Sequence, residues 1–276
     1  MGFEFFTVRF GSPAAAMLRA LVVAEQAGDP FAPVTVLVAD NLTGVMARRG
    51  LAAAGGLANV SFVTPATLAT RLTGGRVPVA GPLEVAAAAR DVLAGQTSGL
   101  FAPVAAHPAT EVAVVAAHRT LAGAAPDTLA ELATSPSART RAVVGLHRAI
   151  AARVAPLADE HELARRAAAR VAADPAVAAS LGGLIVHLVD ELPPAFAALV
   201  QALAATTRVS VLVGVTGVAG TDTAALWWAH HGAAPALEHP AELPPLAAVP
   251  SAFSATDSDD EVRHVVRQLL VRAERG

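Results

Sequence analysis

The chain has no cysteine, no lysine and no tyrosine. Without cysteine there is no disulfide, no thiolate metal site and no cysteine nucleophile. Without lysine, all 20 side chains of the Lys/Arg class are arginine, and no ammonium group is present to grip a β- or γ-phosphate as a phosphate-loop lysine does. With aromatics at only 4%, few rings remain for stacking on nucleic-acid bases. Hydrophobic residues reach 54%, mostly Ala, Val and Leu, yet no apolar run approaches the ~20 residues of a membrane helix. No basic-then-apolar leader opens the chain, so the expectation is a cytoplasmic protein without a membrane partner. A net charge of −3 gives no global attraction to nucleic acid, so any DNA contact has to come from a local arginine patch. A G-x-S-x-G nucleophile elbow and a G-x-G-x-x-G dinucleotide fingerprint are both missing, which argues against serine hydrolase and dinucleotide chemistry.

What is present is organised around the first stretch of chain. Residues 3–10 (FEFFTVRF) are rich in aromatic and β-branched side chains and read as a buried first strand. Gly11-Ser12-Pro13 makes a tight turn, with Ser12 expected to cap the helix that Pro13 opens. Strand, small-residue turn, helix is the place of a phosphate loop in a nucleotide-binding α/β domain. Only Gly11 and Ser12 survive of G-x-x-x-x-G-K-[ST], so the architecture is expected without the nucleotide chemistry.

Strands are also expected at 33–38 and 60–63, each followed by a helix, 42–54 and 66–72, with Thr64-Pro65 capping the latter. Three strand–helix units at this spacing predict a parallel sheet covered by helices. From 81 to about 180 only helical patterns occur, at 83–94, 109–121, 128–133, 137–154 and 160–173, which reads as an inserted helical subdomain. The sheet resumes with strands at 183–189 and 208–215, a helix from Pro193-Pro194 to Leu203, and a helix at 224–231. A short strand at 251–255 and a helix at 257–275 close the chain. The expected class is therefore α/β, with residues 1–80 and 181–250 in one domain, 81–180 inserted, and 251–276 opening another.

Several clusters carry chemistry on paper. Asp190-Glu191 at a strand end is placed to hold Mg²⁺, or else only to favour the helix dipole that follows. Arg48 and Arg49, with Asn41 and Thr43, are suited to phosphates of a single strand, or are two solvated arginines on a helix. Asp159-Glu160-His161-Glu162 has metal-ligand types, but acids in a first helical turn have a dipole reason to be there. Trp227-Trp228-Ala229-His230-His231 reads as core packing plus surface histidine, because adjacent positions do not share a helix face.

In this order the segments resemble the first motor domain of a UvrD/RecB-type superfamily 1 helicase. More closely they resemble the N-terminal part of AddB-type, RecB-family exonucleases of the PD-(D/E)XK nuclease family from actinobacteria. Phe10-Gly11-Ser12-Pro13 stands where that family has a degenerate phosphate loop. Ala39-Asp40-Asn41-Leu42-Thr43-Gly44 with Arg48-Arg49 matches the segment that touches single-stranded DNA. Phe62-Val63-Thr64-Pro65 resembles the next DNA-contacting turn, Asp159–Leu163 the acidic helix start that ends the insertion, Asp190-Glu191 a Walker B pair, and 257–267 the opening of a second motor domain. The departures are the missing lysine and Thr216-Gly217 in place of an Asp-Gln sensor segment. The resemblance implies a RecA-like sheet and a helicase-like region acting in double-strand break repair by homologous recombination. It implies no ATP or Mg²⁺ bound to this chain, the family's Mg²⁺ belonging to a nuclease module beyond Gly276. It implies partners in single-stranded DNA, through Asn41, Thr43, Arg48, Arg49 and Thr64, and in an AddA-like motor subunit. The alternative is a stand-alone scaffold, or a Rossmann-like small-nucleotide binder using Gly11 and residues 216–221.

Overall fold

A computed structural model describes residues 2–53, 55–56, 58–75, 77–155, 157–218, 220–231 and 253–274. By internal contacts the chain divides into two units, Met1–Pro240 and Ala241–Gly276.

Among the described residues the first unit is built on five strands: β1 Phe3–Arg9, β2 Val34–Val38, β3 Val60–Val63, β4 Gly183–His187 and β5 Val209–Val215. They form one sheet in the order β1-β5-β4-β2-β3. Every pairing is parallel, from Phe3 opposite Val209 through Leu184 opposite Val209 and Val34 opposite Gly183 to Val34 opposite Val60. All residues of β2 and β5 are buried, while the edge strands β1 and β3 are mostly half-buried. That is why the inner strands are written as unbroken apolar runs instead of alternating ones: a parallel sheet is covered on both faces.

The covering follows from right-handed crossovers. The path β1 to β2 to β3 runs one way through α1 (Ser12–Glu25) and α2 (Asn41–Ala53). Leu18, Leu21 and Val22 of α1 and Leu51 of α2 pack there on Val34, Val36, Val38, Ile185 and Leu212. The path back from β3 to β4 to β5 lays α3 (Pro65–Leu72), α8 (Glu160–Ala173) and α9 (Pro194–Thr206) on the opposite face. Their Leu68, Leu163, Ala167, Leu199 and Leu203 pack on Leu37, Val63, Leu184, Val186, Val211 and Val213, with Trp228 of α10 (Thr223–His231).

Between α3 and α8 come α4 (Pro82–Ala94), α5 (Pro108–Ala122), α6 (Pro126–Ala133) and α7 (Ala138–Val154). Proline stands at the start of α3, α4, α5, α6 and α9, where its missing N–H costs no hydrogen bond. The helices α4, α5 and α7 bury a cluster of their own, including Val85, Ala89, Val92, Leu93, Val114, Leu146 and Ile150. The segments that lead into and out of this stretch bond to one another: Ala80 N–H donates to the Ala158 carbonyl at 2.8 Å and Ala158 N–H to the Pro78 carbonyl at 2.9 Å. The helix α8, within the stretch expected as inserted, instead packs into the sheet's core. In the second unit α11 covers Ser258–Glu274 and buries no side chain. Of the strand expected at 251–255, Phe253, Ser254 and Ala255 are irregular, and the rest lies outside the described residues.

Candidate functional site

Because every strand is parallel, all five carboxyl ends meet on one edge, and α/β sheets bind ligands outside that edge. At the end of β1, Gly11 takes φ 83° and ψ −136° as N-cap of α1, a conformation that suits glycine. Ser12 does not cap: it is already the first helical residue, and the N-cap makes no side-chain hydrogen bond. The sharp turn at Gly11 starts the helix one residue earlier than Pro13 suggested. Among the amides of this first turn, Pro13 has none and Ala15 donates to the Gly11 carbonyl at 3.1 Å. Ser12 and Ala14 are left to meet an anion, fewer than a phosphate cradle uses. The Phe10 ring lies against Gly214 of β5 so closely that a Cβ there would overlap it.

At the end of β4, Leu188 takes φ 51° and its N–H donates to the Leu212 carbonyl at 3.0 Å. The next carbonyl, of buried Val189, accepts from Trp228 Nε1 at 2.7 Å. Asp190 and Glu191 follow, both exposed, and the chain goes back inside at Leu192. The acids are not part of α9, whose first turn holds none, so the helix dipole is not what places them. One residue before Leu188, His187 is buried with its Nδ1 unpartnered. Burial pushes its pKa down from 6.5 to about 4. Stability from this neutral imidazole is therefore full above about pH 6.5 and is lost as pH falls towards 4, with a ceiling of roughly 3 kcal/mol. Acid unfolding followed by circular dichroism is expected to move to lower pH in His187→Leu; an unmoved midpoint would show that His187 is not the group being charged.

At the end of β5 the loop 216–222 is closed by the buried Asp222. Its Oδ1 accepts from Thr216 N–H at 2.7 Å and from Thr216 Oγ1 at 2.8 Å, and its Oδ2 accepts from Gly217 N–H at 3.0 Å. Val218 N–H donates to Thr216 Oγ1 at 3.1 Å. Three successive amides that a small nucleotide would need are thus turned onto the loop's own side chains. The signal was the lone acid that follows the Gly/Thr-rich residues 216–221 in the sequence, which the small-nucleotide expectation left out.

At the end of β2, Asp40 caps α2: its Oδ1 accepts from Thr43 N–H at 2.7 Å, and that bond holds the carboxyl below its ordinary pKa. Negative charge at this helix start works against phosphate. Asn41 and Thr43 sit in the first turn, whereas Arg48 and Arg49 lie about 10 Å further along the helix, away from the edge. Arg48 lies over the Phe62 ring of β3, 5.4 Å from its centroid. Gly44 lets α2 approach this closely, since a Cβ there would meet Val38 at 3.2 Å and Phe62 at 3.6 Å. Thr64 caps α3, accepting from Thr67 N–H at 3.3 Å. The carboxyl edge therefore gathers Gly11, Ser12, Asn41, Thr43, Thr64, Asp190 and Glu191, and it does not gather the two arginines.

Comparison with known families and with curated proteins finds no match to this chain.

Away from the edge, Asp159 caps α8 through Glu162 N–H at 2.7 Å, and Glu162 pairs with Arg165 at 3.0 Å and Arg166 at 2.8 Å. His118 of α5 and His147 of α7 meet Nδ1 to Nδ1 at 3.0 Å, and burial lowers both pKa values. Among the described residues no three His, Asp or Glu side chains are grouped to hold a metal ion. In α10, Trp228 is core, while Trp227 stacks on His231 at 4.0 Å between ring centroids.

Proposed function

We propose that this chain is the helicase-like region of a DNA helicase–exonuclease of the AddB/RecB type, acting in double-strand break repair. Its role is to guide single-stranded DNA beside an AddA-like motor subunit without hydrolysing ATP. The observation that carries this reading is the sheet order. The Gly11 turn after β1 and the Asp190-Glu191 pair after β4 lie on one edge with only β5 between them, about 10 Å apart at the usual strand spacing. A RecA-like nucleotide site sets its phosphate turn and its acidic pair across such a gap. The bonded ends of the α4–α7 stretch, with its separate core, support the helical insertion of the same reading.

The chemistry of the gap supports loss of nucleotide function. No lysine exists to reach a phosphate, Pro13 and Ala15 remove two amides, and Thr216 and Gly217 give theirs to Asp222. A small-nucleotide site built on that loop is disfavoured for the same reason.

The test is fluorescence anisotropy of the chain with labelled single-stranded DNA at several salt concentrations. Binding is expected to weaken with salt, and Arg48→Ala with Arg49→Ala to reduce the log–log slope by about 1.4, at ~0.7 for each phosphate that is no longer neutralised. An unchanged slope in the double variant would remove α2 from the DNA path. ATP–Mg²⁺ is expected to give no calorimetric signal at micromolar concentration, and tight binding would overturn the inactive-site reading.

A further inference from the structure

His118 of α5 and His147 of α7 are 4% and 7% exposed, and their Nδ1 atoms face each other at 3.0 Å. Two nitrogens at that distance need one proton between them. The neutral pair supplies it, with one ring carrying its hydrogen on Nδ1 and the other on Nε2. One added proton is accommodated, because an imidazolium Nδ1–H still donates to its neutral partner. A second is not. Two N–H groups would then meet head on, carrying like charges in a buried joint.

The surroundings decide what that second proton does. The pair joins α5 to α7, which share with α4 a core apart from the sheet. The stretch has its own attachment, where Ala80 N–H bonds to the Ala158 carbonyl and Ala158 N–H to that of Pro78. His118 also lines a cleft of about 570 Å³ between α3, α4, α5 and the start of α8, which gives water a way to the pair. Asp159 at the start of α8 favours protonation of both rings, while Arg119 opposes it at His118 and Arg148 at His147. Glu160 and His161 line the same cleft. On the α6 side the Leu129 carbonyl accepts from Arg148 Nη2 at 3.4 Å. On the α4 side Arg90 is paired with Glu111 at 2.9 Å, about two turns before His118.

We propose that the His118–His147 contact is an acid-released catch, independent of the DNA-guiding role: it stays shut with one added proton, and a second opens the α4–α7 stretch while the sheet remains folded. Burial holds both rings below the ordinary histidine pKa of 6.5. The catch is therefore fully shut above about pH 6.5 and is released as pH falls. Its two protons enter in separate steps, because they belong to one coupled pair.

Histidine NMR and amide exchange on the full chain test this. At neutral pH one ring of the pair is expected to carry its hydrogen on Nδ1 and the other on Nε2, and acid to charge them in two steps. Below the second step, protection of the α5 and α7 amides is expected to fall about tenfold per pH unit beyond any fall in β5, as an opening linked to one proton requires. His118→Asn places an amide where Nδ1 stood. Its oxygen still accepts from a charged His147 and it takes no proton, so the acid-dependent fall is expected to disappear. The comparison of helices with β5 in the parent chain needs no variant, so an unstable variant does not remove the test. Helices and β5 losing protection together would overturn the proposal, and so would a fall that His118→Asn leaves unchanged. Both rings charging in one step, with exchange in α5 and α7 unaltered, would overturn the one-proton limit.

Discussion

Gly182→Ala is expected to remove more stability than any other conservative change in the chain. Gly182 has φ 63° and ψ −142°, which only glycine adopts without strain, and its missing side chain makes room for the Pro33 carbonyl. A methyl group there would overlap that oxygen. Neither partner has room to move. Pro33 leads into β2 and Gly182 into β4, and the two strands are locked from Val34 opposite Gly183 to Val38 opposite His187. The Gly182 carbonyl also accepts from Thr207 Oγ1 at 3.2 Å, and the Leu181 carbonyl accepts from buried Thr35 Oγ1 at 2.8 Å. The loss is expected to exceed about 4 kcal/mol, a large part of the ~5–15 kcal/mol that holds a domain folded, so the variant is mostly unfolded or insoluble. Gly217→Ala is the control. It has φ 87° with nothing within 4 Å of an added Cβ, so it carries only the left-handed strain of about 1–2 kcal/mol. Urea titrations of the two variants separate close approach from backbone strain. Equal losses would mean that the β2–β4 junction is looser than described.

Much of the architecture was legible because the chain writes it in composition. Strands β2, β3 and β5 appear as PVTVLV, VSFV and RVSVLVGV because buried parallel strands need no polar face, and prolines mark where helices begin. Sheet order was not legible, since the paired residues of β1 and β5 are more than two hundred positions apart and nothing in their periodicity says that they pair. The membership of α8 was hidden for a similar reason: its Leu163, Ala164 and Ala167 look like those of any amphipathic helix, and only contact with α3 and α9 assigns them to the sheet.

At the candidate site the residue type alone fixes part of the chemistry, as the missing lysine does. Geometry fixes the rest: Ser12 gives up its capping role to the turn at Gly11, and helical rise sets Arg48 and Arg49 about 10 Å along α2 from Asn41 and Thr43 although they follow closely in the chain.

Trp228 carries the second large expectation, and it bears on the acidic pair directly. The side chain is 2% exposed, with the rings of Phe3 and Phe5 edge-on at 6.3 and 6.4 Å. Its Nε1 holds the carbonyl of Val189, one residue from Asp190. Trp228→Ala is expected to cost about 3–5 kcal/mol through the cavity it leaves. Trp228→Phe keeps most of the packing and strands a buried carbonyl, at about 1–3 kcal/mol. The two variants should differ in stability and agree in a local readout. Residues 188–192 leave β4 through the positive φ of Leu188, and the Trp228 bond is what holds the next carbonyl in place. Hydrogen exchange in this segment is therefore expected to rise in Trp228→Phe while β5 stays protected. If exchange there is unchanged, packing of Leu192 is sufficient to hold the turn, and the position of Asp190 and Glu191 does not depend on the indole.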